Sequence, residues 1–407
     1  MTSGSGLKPE QIPPLMNGLV GPGGEGGYRF DAFLPSPCVQ NHAANLAFLA
    51  DGTLTCVWFG GTMEGMGDIS IYMSRLPAGS AQWSDAEKMS DDPQESEQNP
   101  LMFTAPDGNV WLIFTSQTSG NQDGAIVKRR ISADGGRTFG PVEILCDSPG
   151  TFVRQPIVVN ARGDWLLPVF RCIGVPGQRW TGDADTAAVL ISRNAGSSWD
   201  MVDLPGSIGA VHMNILPRGD GRMVAFFRNR FATQILRSRS DDDGLTWSAP
   251  VETALPNNNS SIQAAGLKDG RIAIVYNHSN VLASSDRRLS LYDEIEAEEE
   301  AQAVPAETVS AADGRPKAIW GVPRAPMSLV FSGDAGETFG VPVHLETGDG
   351  YCLTNNSKDA LNREYSYPSI VEGPDGALHI AYTYYRRAIK YVRWSPDTVF
   401  RPSCVLE

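Results

Sequence analysis

The chain has 407 residues, of which 41% are hydrophobic, with 42 glycines, 28 prolines and a formal net charge of −14. That composition excludes collagenous and disordered classes and suits a compact β protein rich in turns. The negative balance argues against nucleic acid or an anionic membrane as partner, since both demand a basic face, and no apolar run approaches the length of a membrane span.

In chain order, residues 1–37 form an N-terminal segment that begins MTSGSGLKPEQIPPLMNG, without the basic and apolar stretches of a secretory leader. The six cysteines are scattered, with no CxxC pair or metal-ligand spacing, so a cytoplasmic protein with free thiols and neither metal nor cofactor is expected. From residue 38 onward an apolar run, a Gly turn and a second apolar run recur six times. Their turns lie at Asp51-Gly52, Asp107-Gly108, Gly163, Gly221, Asp269-Gly270 and Asp375-Gly376. Asp-Gly between two β-rich runs is the strongest short-range hairpin signal.

A second phrase keeps step with the first. It reads S-x-[DN]-x-G-x-[TS]-[WF] and begins at Ser132, Ser192, Ser240 and Ser332, with a degenerate version around Ser74, Gly79 and Trp83. An Asp or Asn that folds onto its own backbone, a Gly that tolerates positive φ and an aromatic plug describe a pinned hairpin. The boxes recur after 60, 48 and 92 residues, near the period of propeller blades of four strands. The long gap holds YDEIEAEEEAQAVPAETVSAADGRPK, an acidic stretch over about 292–317 without strand alternation, which reads as an inserted surface loop. The predicted fold is therefore all-β, a single six-bladed β-propeller over 38–400 with four-stranded antiparallel blades. Its blades fall at about 38–93, 94–150, 151–206, 207–257, 258–348 and 349–400, and 401–407 form a C-terminal tail.

In a propeller the innermost strands line a central funnel, so the residues that open each blade converge there. They include His42, Asn99, Arg154, His212, Gln263, Tyr365 and Tyr367. A purely structural propeller needs no such collection of histidine, tyrosine and arginine, although Asn, Gln and Ser also satisfy backbone groups where strands start.

The boxes, the six hairpins and the last-blade phrase EYSYPSIV, followed by YTYYRRAIKY, resemble the sialidase superfamily in its Asp-box, BNR-repeat branch. The resemblance covers about residues 38–400. It implies an arginine triad for a substrate carboxylate, a Tyr nucleophile activated by a Glu, and an acid on a loop of the first blade. Carried over by position, the nucleophile is Tyr367, with Tyr365 on the same strand face. The second arginine is Arg228 or Arg230, the third Arg287 or Arg288, and the acid Glu64 or Asp68 of the Gly60–Asp68 loop. Arg387 belongs to the last-blade phrase and is another binding candidate.

Two departures bear on chemistry. His42 stands where the first triad arginine belongs, and His212, Met213 and Asn214 stand where the activating Glu belongs. An imidazole does not replace a bidentate arginine on a carboxylate. The first expectation is an exo-acting glycoside hydrolase that removes a terminal acidic sugar, with His42, Glu64, Asp68 and Tyr367 catalytic. The alternative is a lyase that cleaves next to a uronate by β-elimination. The third is a sugar-binding propeller without turnover. In each the partner is an oligosaccharide or glycoside.

Overall fold

The computed structural model describes residues 7–24, 27–118, 122–174, 180–288, 291 and 316–395. The acidic stretch and the C-terminal tail picked out in the sequence lie outside the described residues, apart from 316 and 317. Six antiparallel sheets make up a six-bladed β-propeller. Blades one, two, four and five have four strands in sequential order. In blade three the innermost strand is broken into Thr151–Val153 and Val158–Val159, both paired with Trp165–Arg171.

Blade six closes the ring with sequence from both ends of the chain. Tyr365–Glu372, Leu378–Tyr384 and Ala388–Trp394 are followed outward by Arg29–Phe33, whose register sets Ala32 against Tyr391. Residues before 38 are therefore part of the propeller, where sequence reading had set them apart. A strand that finds its partners some 350 residues away carries no local signal of its pairing. Arg29 reinforces the closure, donating to Asp31 and to Glu346 of blade five at 2.9 Å.

The four boxes occupy the turns between third and fourth strands of blades two to five. In the first, Gly136 N donates to Ser132 Oγ at 2.8 Å, and Asp134 accepts from Thr138 N and Thr138 Oγ1 at 2.9 and 2.6 Å. Each box glycine lies against the preceding blade: Gly136 on Leu49, Gly196 on Trp111, Gly244 on Leu166 and Gly336 on Phe226. The box aromatics Phe139, Trp199, Trp247 and Phe339 add to the apolar clusters of the same seams.

The seams are also pinned by polar side chains at the blade openings. Asn45 Oδ1 accepts from Met102 N at 3.2 Å, Asn214 Oδ1 from Ala264 N at 2.5 Å, and Ser369 Oγ from Leu46 N at 2.9 Å. Gln263, expected at the ligand, is one of these pins. Its Oε1 accepts from Ile370 N at 2.6 Å and from Ser369 Oγ at 2.7 Å, satisfying a buried backbone donor of blade six.

Candidate functional site

The innermost strands of blades one, two, four and six share one irregularity. Each carries a register shift, between His42 and Asn45, Gln98 and Leu101, Val211 and Asn214, and Ser366 and Ser369. At each shift one residue takes positive φ: Ala43 at 61°, Asn99 at 50°, His212 at 57° and Tyr367 at 50°. A β-bulge re-aims a side chain out of strand alternation. Three of these four residues, Asn99, His212 and Tyr367, line one small cleft together with Glu64, Gln98, Gln122, Phe152, Phe170, Arg228, Arg230 and Leu291.

Tyr367 is 6% exposed and sits at the centre of this group. Arg228 Nη1 donates to its hydroxyl at 2.5 Å. The guanidinium carbons of Arg154, Arg228 and Arg324 lie 5.4, 5.6 and 5.7 Å from its ring centroid. His42 packs against the ring at 4.3 Å between centroids, and His212 meets it edge-on at 5.6 Å.

Arg154 crosses from blade three to the opposite side of the ring. Its Nη2 donates to the carbonyls of Ala44, Tyr367 and Pro368 at 3.0, 3.1 and 3.0 Å, and its Nε to Ser261 Oγ at 3.2 Å. It fills the shaft beneath Tyr367 and is absent from the cleft lining. His42 is fully buried there too, with Nδ1 2.9 Å from Thr383 Oγ1. Burial, with Arg386 and Arg324 close by, holds its imidazole well below the usual range.

Two further arginines complete the site where the sequence had suggested others. Arg324 donates to Glu364 Oε1 at 3.0 Å, and Arg386 donates to the same oxygen at 3.1 Å through Nε and to Glu64 Oε2 through Nη1. Burial opposes the Glu364 charge, but Arg324 and Arg386 overcome it and bring the carboxyl down to about 2. Arg230 is held by Asp185 Oδ2 at 2.9 and 2.6 Å and sandwiched by Trp180 and Trp320 at 5.4 and 5.0 Å. Among the described residues, Arg154 and Arg228 form no ion pair. Burial brings them down to about 10 and about 9, still charged at neutral pH. The site thus presents uncompensated positive charge on a chain of net charge −14.

Several expected residues lie elsewhere. Arg387 donates to Ser357 O, while its neighbour Arg386, in the hairpin turn after Tyr384, turns inward at a φ of 54°. Tyr365 does not share the face of Tyr367, because the bulge turns Tyr367 away; its hydroxyl reaches Thr347 O and Tyr385 in the cluster between blades five and six. Asp68 is exposed, and both its oxygens accept from Thr62, which staples the Gly-rich loop. Arg287 bonds to carbonyls of its own loop, and Arg288 to Asn355 and Leu291. The strand leading to the Ser332 box begins at Met327, so the arginine placed just before it is Arg324. That position relative to the box was the usable signal.

The family described as BNR repeat-like domain matches residues 52–380. The chain belongs to this family. No curated protein matches it. Among solved structures, this BNR repeat-like chain is similar to a Hadza microbial sialidase, at TM-score 0.62 and 12% identity over 89% of this chain and 66% of that one. A Dyadobacter fermentans protein of unknown function aligns at TM-score 0.62 and 14% identity over 90% and 98% of the two chains. The Trypanosoma rangeli sialidase solved with the inhibitor DANA aligns at TM-score 0.59 and 12% identity, over 94% of this chain and 58% of that one. At these identities the likeness is one of fold.

Proposed function

We propose that this BNR repeat-like protein is an exo-acting enzyme that cleaves an acidic glycan next to a uronate by β-elimination. The observation that carries this reading is the bond from Arg228 Nη1 to the Tyr367 hydroxyl, at 2.5 Å, with no carboxylate bonded to that hydroxyl among the described residues. A Tyr nucleophile for glycoside hydrolysis needs a base beside it. The Tyr367 hydroxyl has a cation instead, and its two imidazole neighbours meet its ring.

Those groups match the needs of elimination. His212 is kept neutral chiefly by burial and then by Arg228 and Arg230, so it retains a lone pair to take the C5 proton of the uronate. The C4–O bond breaks as the C4–C5 double bond forms, and Tyr367 gives its proton to the leaving oxygen. Arg228 stabilises the phenolate left behind, and the excess positive charge of the site neutralises the uronate carboxylate. The small size of the cleft around Tyr367 supports action at a chain end over binding of a long segment.

A hydrolytic reading rests on Glu64, which lines the cleft where an acid would stand, although its Oε2 is committed to Arg386. One assay separates the two. Incubation with rhamnosyl-glucuronides and other uronate-containing oligosaccharides is expected to generate the ultraviolet absorbance of an unsaturated uronate in step with chain cleavage. New reducing ends without that absorbance would overturn elimination in favour of hydrolysis.

A further inference from the structure

We propose that Asn259 and Ser261, neither of which lines the cleft, are positioning residues that aim Arg228 and His212 at Tyr367. The proposal rests on the elimination reading for its consequence in turnover, but not for its geometry. Both residues belong to the run Asn257-Asn258-Asn259-Ser260-Ser261 that opens blade five, and all five are buried.

The run is itself held rigidly. Asn257 Oδ1 accepts from Asn229 N at 2.9 Å and from Asn259 N at 3.1 Å, and Asn258 Nδ2 donates to Pro323 O at 2.8 Å. Asn259 has φ of 55°, its Nδ2 donates to Ile319 O at 2.8 Å, and its Oδ1 accepts from Arg228 Nε at 2.8 Å. A guanidinium is planar, so fixing Nε fixes the fork. With Nε on Asn259, Nη1 is delivered to Tyr367.

A count of donors and acceptors gives the tautomer of His212, with Arg228 deciding it and Ser261 holding the proton. Arg228 Nη1 lies 3.5 Å from His212 Nε2, and a guanidinium can only donate. Nε2 is therefore the acceptor, and the proton sits on Nδ1, 3.0 Å from Ser261 Oγ. Ser261 Oγ accepts from this proton and from Arg154 Nε, and its own hydrogen points to Ile262 O at 3.4 Å. One donor and two acceptors are all used. The opposite tautomer would set Nε2–H against an arginine N–H. Ser261 thus leaves the Nε2 lone pair on the side of Arg228 and Tyr367, and a single hydroxyl ties His212 to the arginine beneath the tyrosine.

The test is the nitrogen-15 spectrum of histidine-labelled protein without substrate, in which His212, one of five histidines, is assigned by its loss in His212→Asn. The wild-type protein is expected to show the Nδ1–H tautomer. Ser261→Ala removes the acceptor of that proton and is expected to keep the tautomer while shifting the Nδ1–H resonances and speeding exchange of that proton with water, and Ser261→Thr to restore both. In turnover, Ser261→Ala and Asn259→Ala should each lower kcat on the order of tenfold or more with KM little changed, the size seen when partners that orient a histidine are removed. A wild-type Nε2–H signal, or an Nδ1–H signal indifferent to Ser261→Ala, overturns the proposal. The expected tautomers without any unsaturated product would sink elimination and leave the positioning intact.

Discussion

Arg228 Nη1 stands 2.5 Å from Tyr367 Oη, although the two residues come from blades four and six and are 139 positions apart. The contact exists because the bulge at Ser366–Ser369 turns Tyr367 out of alternation and Asn259 anchors the other edge of the guanidinium. Tyr367→Phe, which keeps the ring in its packing and removes only the hydroxyl, is expected to abolish formation of unsaturated product with little change in melting temperature. Arg228→Lys keeps the charge but loses the planar fork shared between Asn259 and Tyr367, and should lower kcat by about two orders of magnitude, the scale on which removal of one group that stabilises transition-state charge is felt. Full activity in Tyr367→Phe would remove the tyrosine from the mechanism.

Asp185 is the counter-charge of Arg230, and both are buried. Asp185→Ala leaves the guanidinium unpaired between Trp180, Trp320 and Phe170 and strips the acceptor from Trp180 Nε1. Breaking one side of a buried pair costs about 3–5 kcal/mol. Chemical denaturation should show a loss of that size, and a loss within measurement error would mean that the pair is not closed in solution.

Gly196 has φ of 80°, and a Cβ there would stand 2.3 Å from Trp111 and 2.9 Å from Trp165. Gly196→Ala therefore combines left-handed backbone strain with overpacking at the seam of blades two and three, together about 2–5 kcal/mol. The denaturation midpoint should fall while activity per folded molecule is kept, because the box lies far from the cleft. Gly163→Ala, at a turn with nothing within 4 Å, should cost only the backbone share.

Three buried histidines tie stability to pH in one direction. Burial lowers His42 and His212, and lowers His379 to about 4. A base whose folded value is depressed is protonated first in the unfolded chain, so the fold loses stability as pH drops below the unfolded value. The loss reaches about 1.4 kcal/mol per pH unit for each histidine and ends at the folded value. Glu364, lowered to about 2 by its two arginines, adds a loss that begins below its ordinary value of 4.5. Melting temperature should fall steadily from pH 7 to pH 4, and His379→Gln should flatten the slope. A flat profile over that interval would contradict the burial of these imidazoles.

The propeller was legible in the chain because its signals are local: Asp-Gly turns, four boxes and strand alternation depend on neighbours within about ten residues. The closing strand Arg29–Phe33 was not, because its partners come from the far end of the sequence. At the site, Tyr367, His212, Arg228, Arg230, Asn99 and Glu64 could be placed by counting along blades, whereas Arg324 and Arg386 displaced the arginines first chosen.

The sequence by itself determined the repeated unit, the number of blades and the set of side chains that could meet at the funnel. Tertiary structure alone decided which of them do. Bulges re-aim Tyr367 and His212 by a step that alternation cannot anticipate, and a left-handed residue in a hairpin turn aims Arg386 inward. The assignment of partners among five buried arginines and three carboxylates follows from distances across blades, which no spacing along the chain encodes.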